Sequence, residues 1–131
     1  MSFRIKRSLA DRYFSNFIRM RANWTCERCK CEYDPPTTAL HCSHFHGRGN
    51  KSTRFNPDNA AALCYGCHRY FTANPHEHSE FFKQRLGEFR FDRLKLLFHT
   101  PQKVDEKLIV LWCKEEIKKL KAKQPIIFGE H

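Results

Sequence analysis

Two Cys-x-x-Cys pairs give this chain the residues best suited to hold a metal ion. Cys26 and Cys29 form the first pair, and Cys64 and Cys67 form the second. Four thiolates can bind zinc tetrahedrally, and two such turns are a common way to supply them. The presence of two pairs, without a thioredoxin-like βαβ pattern, weighs against a redox dithiol. The spacing therefore predicts a structural zinc site, for which Cys31 is an alternative ligand to Cys29.

Two histidines and an asparagine surround the second cysteine pair. His44 lies between the two pairs, Asn59 precedes the second pair, and His68 directly follows it. A histidine titrates near neutrality and can act as a general base. A divalent ion can neutralise the charge that builds up when a phosphodiester is hydrolysed. Taken alone, a histidine is more often a surface or packed residue, so the surrounding pattern has to decide its role.

That surrounding pattern resembles a family of nucleases. The segment Asn59-Ala-Ala-Ala-Leu-Cys-Tyr-Gly-Cys-His68 resembles the second half of the HNH motif, Asn-x-x-x-Leu-Cys-x-x-Cys-His. Together with His44 and the first cysteine pair, it looks like a zinc-stabilised HNH endonuclease. The resemblance covers about residues 9–73. Three further segments are similar to phage recombination endonucleases of the NinG (Rap) type: residues 10–21, 42–45 and 54–59.

The resemblance implies an α+β fold with a small ββα-metal core and a four-cysteine zinc knuckle, flanked by an N-terminal helix and C-terminal helices. It also implies a metal-dependent endonuclease that cuts duplex or branched DNA with low sequence specificity. His44 would be the general base, and Asn59 would brace the loop and help to orient His44 by hydrogen bonding. His68 would bind the catalytic divalent ion, Mg²⁺ or Mn²⁺. The zinc would be structural and separate from that ion.

The chain departs from the HNH pattern at one position. HNH sites commonly place Asp or His directly before the base, as a second ligand for the catalytic ion, whereas this chain has Ser43. Ser43 or His46 is therefore the alternative second ligand, with His41 and Asp58 as further options. Alternation along a strand would put His46 on the same face as His44, and His41 on the other face.

The charge of the chain favours a polyanionic partner. The net charge is +10 and the isoelectric point is near 9.5, which is typical of nucleic-acid-binding domains. Arg and Lys suit phosphate oxygens, although each residue could equally be a solvated surface charge. The candidates nearest the motif are Arg48, Lys51, Arg54 and Arg69. The sequence leaves open whether the protein is a monomer or a homodimer.

The elements that position the motif begin with a helix. Ser8-Leu9-Ala10-Asp11 is typical of a helix start, and the apolar spacing predicts a helix that ends near Asn23. We expect a first strand within residues 38–45 and a second at residues 52–55, joined by the loop Gly47-Arg-Gly-Asn50. A helix should then run from Cys64 to Ala73.

The rest of the chain has a helical pattern. Apolar residues recur at helical spacing in His78–Leu86, Glu88–Phe98 and Val104–Lys121. We expect one domain over residues 1–131, with an HNH core at 8–75 and a helical extension at 76–123. The last residues, 124–131, are expected to fray.

Two other functions compete with the nuclease. A non-catalytic zinc-finger DNA-binding protein would also have the four cysteines and the positive charge, but it would need none of His44, Asn59 and His68. A zinc-ribbon adaptor between proteins would leave the net charge unexplained. No segment approaches the roughly 18 apolar residues of a membrane span. No secretory signal is evident either. We therefore expect a cytoplasmic protein, in the host cell if phage-encoded.

Overall fold

The first helix, α1 (Leu9–Arg21), begins with the predicted capping box. The backbone N–H of Asp11 donates to Ser8 Oγ at 3.2 Å, and the backbone N–H of Ser8 donates to Asp11 Oδ2 at 2.8 Å. The helix ends just before the predicted end because Asn23 and Trp24 adopt positive φ angles of 53° and 55°, which a right-handed helix cannot continue.

The sheet consists of two antiparallel strands. In a computed structural model that describes residues 6–123, β1 (Leu40–His44) pairs with β2 (Ala60–Cys64), with His44 opposite Ala60. The first predicted strand is thus confirmed in a shorter form. The predicted second strand at residues 52–55 is wrong. That segment forms the short helix α2 (Lys51–Arg54), because Asn50 caps it with its side chain at Thr53 N–H. A 3₁₀ turn at Pro57–Asn59 leads into β2.

Four further helices complete the described residues. Helix α3 (Tyr65–Ala73) follows β2 directly and matches the predicted helix to within one residue, and α5 (Glu88–Phe98) has the predicted bounds. Helix α4 (Pro75–Leu86) starts earlier than predicted because Pro75 is favourable in a first helical turn. Helix α6 (Glu106–Lys123) completes the set. No helix among the described residues is both long and apolar enough to cross a bilayer.

The predicted α+β class is confirmed, and the core joins the sheet to the helices around it. Helix α1 packs on both the sheet and α6, where the rings of Phe17 and Trp112 meet at 5.3 Å. On the α4–α5 side, the ring of Phe45 packs on those of Phe82 and Phe91. Much of the core is therefore aromatic. β2 begins with three alanines, all buried, whose small side chains allow close packing around the hairpin.

A buried ion pair between Asp11 and Arg54 links α1 to the segment between β1 and β2. Arg54 donates to both carboxylate oxygens of Asp11, and their side chains are 10% and 3% exposed. Burial alone would raise the pKa of the Asp11 carboxyl, but the hydrogen bonds from Arg54 and Ser8 and the charge of Arg54 hold it below its usual value.

We expect Asp11→Asn to destabilise the fold by about 3–5 kcal/mol, because it leaves the buried guanidinium of Arg54 without a countercharge. Urea denaturation would measure the change in the free energy of unfolding. Asp92→Asn, an exposed position on α5, is the matched control and should change it by less than about 0.5 kcal/mol. Equal effects of the two substitutions would contradict a structural role for the pair.

Candidate functional site

The four paired cysteines form a cluster that could hold a metal ion. The Sγ atoms of Cys26, Cys29, Cys64 and Cys67 all lie within 4.8 Å of one another, and those of Cys29 and Cys64 are 3.7 Å apart. With Zn–S bonds of about 2.3 Å, the edge of a zinc tetrahedron is roughly 3.8 Å. The donor set and its spacing thus fit a structural ion such as zinc. Cys31, the alternative to Cys29, is exposed and outside the cluster.

Backbone turns and neighbouring side chains build the cluster. The N–H of Cys29 donates to Cys26 Sγ at 3.5 Å, and the N–H of Cys67 donates to Cys64 Sγ at 3.4 Å. The two Cys-x-x-Cys pairs therefore form two turns of the same kind. Arg28 donates to Cys67 Sγ at 3.4 Å. Donors of this kind offset negative charge on thiolates and orient them for a metal.

Sequence reasoning missed the role of Glu27, which lies inside the first Cys-x-x-Cys turn. Its carboxylate accepts from the N–H of Ala62 in β2 at 2.6 Å and from Arg85 Nε in α4 at 2.8 Å. Glu27 therefore ties the first cysteine turn to the strand that precedes the second turn. The sequence does show an acidic residue inside the first Cys-x-x-Cys turn. Its partners, Ala62 and Arg85, are too distant in the chain to be recognised from the sequence.

His44 ends β1 and faces α1. Its Nε2 lies 3.0 Å from the carbonyl oxygen of Arg54, and its ring lies 5.8 Å from that of Phe14. A carbonyl can only accept, so we assign the proton to Nε2 and the lone pair to Nδ1. Burial lowers the pKa of His44 to about 4, against a smaller opposing effect of the Arg54 carbonyl. The ring is thus neutral near pH 7 and has a nitrogen that can accept a proton.

The lowered pKa of His44 predicts a loss of stability in acid. Above pH 6.5 the ring is neutral in both the folded and the unfolded chain. As the pH falls below this value, the unfolded chain takes up a proton before the folded chain does, so stability declines down to about pH 4. Between pH 7 and pH 5, we expect wild type to lose about 2 kcal/mol more than His44→Gln.

Urea denaturation of wild type and His44→Gln at both pH values would measure this difference. Acid release of metal from the cysteine cluster affects both proteins, so it cancels in the comparison. Parallel losses in the two proteins would contradict the lowered pKa of His44.

Asn59 is fully buried and holds the loop between the strands. Its Oδ1 accepts from the N–H of His46 at 2.8 Å, and its Nδ2 donates to the carbonyl oxygens of His46 at 2.9 Å and Thr53 at 3.1 Å. The side chain therefore braces the loop, whereas its hydrogen bonds go to His46 and Thr53 and not to the ring of His44. Its effect on His44 is indirect, because Thr53 precedes Arg54, whose carbonyl contacts that ring.

His68 lies near the start of α3, on the other face of β1 from His44. Its Nδ1 is 2.9 Å from Ser43 Oγ, and Ser43 is only 2% exposed. The ring of His41, which alternation places on the same strand face as Ser43, lies 5.4 Å from that of His68. Burial, followed by the charges of His68, Arg19 and Arg7, lowers the pKa of His41.

The other suggested ligands are engaged elsewhere. His46 stacks on Phe98 of α5 with ring centroids 4.1 Å apart, and its buried Nε2 has no hydrogen-bond partner. Asp58 forms ion pairs with Arg90 and Arg93 of α5. Apart from the four cysteines, no group of three His, Cys, Asp or Glu residues within 6–123 lies close enough to share an ion.

No family model, curated protein or solved structure matches the chain.

The four residues predicted to contact phosphate differ in their solvent exposure and in the partners that they already have. Lys51 and Arg69 are exposed, and Arg69 donates to the hydroxyl of Tyr65 at 3.1 Å. Arg48 is partly exposed and contacts Asp11 at 3.2 Å. Arg54 is 9% exposed and its guanidinium is taken up by Asp11, so it serves the fold rather than a phosphate.

Sequence reasoning also missed a basic groove along α1. This groove has a volume of about 420 Å³ and includes Arg7, Arg12 and Arg19 in its wall. Arg19 also supports β1, because its Nε donates to the carbonyl oxygen of Leu40 at 2.7 Å. In the sequence, only the polar face of the predicted first helix indicated this groove. The position of that face beside β1 is seen only in the folded structure.

Proposed function

We propose that the chain is a metal-dependent DNA endonuclease of the HNH type, built on a ββα-metal core. It hydrolyses phosphodiester bonds in duplex or branched DNA with low sequence specificity. The observation that supports this most is that His44, Asn59 and His68 lie around one end of the β1–β2 hairpin. His44 pairs with Ala60, the residue after the buried Asn59, and His68 of α3 contacts Ser43, the neighbour of His44 in β1. A plain zinc finger has no need for these three residues at these positions.

In this proposal His44 is the catalytic base. Its Nδ1 lone pair takes a proton from the water that attacks phosphorus, while Nε2–H donates to the Arg54 carbonyl and fixes the ring. The imidazolium that forms keeps this hydrogen bond, which is stronger for a charged donor. A pKa of about 4 makes His44 a weak base in the free protein. The negative charge of a bound phosphate beside the ring would raise that pKa.

His68 is the residue proposed to hold the catalytic divalent ion. When bound, such an ion neutralises charge on the phosphate and stabilises the leaving oxygen. Zinc in the four-cysteine cluster is structural in this proposal, because four thiolates leave no open position for a substrate. The two metals thus have different roles and different ligands.

We expect DNA to bind at the basic side chains around the proposed site. Arg48, Lys51 and Arg69 are the proposed contacts to the phosphate backbone. Arg48 also contacts Asp11 but its side chain is 26% exposed, whereas Arg54 is left out because its guanidinium is buried against Asp11. Such contacts position a duplex without reading its sequence. This agrees with the proposed low specificity.

We expect the zinc-loaded protein to cut DNA only when a second divalent ion is added. Supercoiled plasmid and a four-way junction would be incubated with Mg²⁺, Mn²⁺ or EDTA, and products would be followed on gels. Zinc content and circular dichroism after EDTA treatment would show that the chelator had left the fold intact. DNA binding without cutting, for every substrate and ion, would overturn the nuclease proposal in favour of a zinc-finger binding protein.

A further inference from the structure

Three side chains meet between β1 and α3 outside the four-cysteine cluster: His41, Ser43 and His68. Ser43 Oγ contacts His68 Nδ1 at 2.9 Å. The rings of His41 and His68 have centroids 5.4 Å apart and planes inclined at 64°. The proposed base, His44, follows Ser43 directly in β1, and its own ring packs on Phe14.

We propose that His41 and His68 are the two protein ligands of one divalent transition-metal ion, and that Ser43 is a positioning residue for His68. With metal–nitrogen bonds of about 2.1 Å, two imidazoles on one ion at a tetrahedral angle have ring centroids roughly 5.3 Å apart. The observed separation of 5.4 Å fits this arrangement. Two imidazoles leave the remaining positions of the ion open for water or phosphate.

Ser43 explains how His68 is oriented. A metal-bound histidine usually donates its other ring N–H to a nearby acceptor, which fixes the tautomer and the ring direction. With Ser43 Oγ at Nδ1, His68 has Nε2 as the nitrogen that binds the ion. Ser43 itself is 2% exposed and engaged with this ring. HNH sites have a metal-binding Asp or His at this position. In this chain the residue is Ser43, which orients the ligand His68 and does not bind the ion itself.

The ligand chemistry narrows the class of ion. Imidazole nitrogens suit ions such as Ni²⁺ and Zn²⁺, whereas Mg²⁺ prefers oxygen ligands and keeps its water. The site should therefore select a transition-metal ion over Mg²⁺. This inference deepens the proposed function and rests on it only for the use of the ion in cleavage. Metal binding by His41 and His68 can be tested without DNA.

The first test is calorimetric titration of the zinc-loaded protein with Ni²⁺. His41→Phe keeps a ring at the contact with His68 but removes the ligand nitrogen, so we expect Ni²⁺ affinity to fall at least about tenfold. His76→Phe makes the same substitution at an exposed histidine of α4 and should leave affinity unchanged. Equal affinity of His41→Phe and wild type, or no Ni²⁺ binding by wild type beyond the cysteine cluster, would overturn the inference.

The second test uses wild type, so it does not depend on a variant that folds. In ¹H–¹⁵N spectra of the imidazoles, substoichiometric Ni²⁺ should broaden His41 and His68 before His76. Earlier broadening of other histidines would overturn the inference. The same spectra report the tautomer of His68, which Ser43→Ala should shift while lowering Ni²⁺ affinity about 10- to 100-fold. An unchanged tautomer and affinity would remove Ser43 from this role.

These outcomes separate the inference from the proposed function. A protein that binds Ni²⁺ through His41 and His68 but cuts no DNA would support the ion site and overturn the nuclease. A protein that cuts DNA while His41→Phe binds Ni²⁺ as wild type does would overturn the ion site and leave the nuclease standing.

Discussion

Replacement of Cys64 by Ser is expected to unfold the protein under reducing conditions with zinc present. Structural zinc in small domains has an apparent binding free energy of about 10–16 kcal/mol, and whole domains are stable by only about 5–15 kcal/mol. Cys64 ends β2 and caps α3, with its Sγ accepting from the N–H of Cys67. Serine is also a good helix cap, so the substitution removes the metal ligand and leaves the cap in place.

Thermal denaturation, followed by circular dichroism, and zinc content would measure this effect. Cys31→Ser is the matched control, because Cys31 is exposed and outside the cluster. We expect it to melt as wild type does and to retain zinc. Cooperative melting of Cys64→Ser near the wild-type temperature would contradict a structural metal. Equal melting of both serine variants would lead to the same conclusion.

The parts of the fold that the sequence predicted well depend on local chemistry. The capping box of α1 requires only Ser8 and Asp11, which are close in sequence. The cysteine cluster was predictable because few other arrangements account for two Cys-x-x-Cys pairs. Helix α5 was predictable from its apolar period. Each of these features is decided within one or two short segments.

The second strand could not be predicted in the same way. Ala60–Cys64 starts with three alanines, which have low preference for strands. It is a strand because β1 supplies hydrogen-bond partners and the core covers it. Residues 52–55 were expected to form the second strand, but the cap at Asn50 favours a turn of helix there. Tertiary contacts decided both segments.

The positions of the suggested second ligands could not be predicted for a related reason. Alternation favoured His46, on the assumption that the ion shares the strand face of His44. β1 ends at His44, so alternation does not extend to His46, which turns to Phe98. His68 instead meets Ser43 and His41 on the other face. The ion pair of Arg54 with Asp11 could not be predicted either, because the two residues are far apart in the chain.

Replacement of His44 by Ala is expected to slow DNA cleavage by a factor of about 10² to 10⁴, the usual contribution of a general base. The substitution removes the proposed acceptor, Nδ1, but leaves the bonds of Asn59 to His46 and Thr53 intact. The loop should therefore remain folded and the variant should still bind DNA. The rate constant for plasmid nicking at saturating protein and metal would measure the effect. His76→Ala, at an exposed site, is the control and should cut as wild type does.

Added imidazole would separate the loss of a base from a distorted site. The variant lacks the partly buried ring of His44, and the space it leaves lies beside Phe14 and the carbonyl oxygen of Arg54. Free imidazole can occupy such a space and supply the missing nitrogen, so it should restore part of the rate in His44→Ala and none in wild type. Rescue would not occur if the loop had collapsed. Cleavage by His44→Ala at the wild-type rate without imidazole would contradict the assignment of His44 as the base and would show that another group accepts the proton.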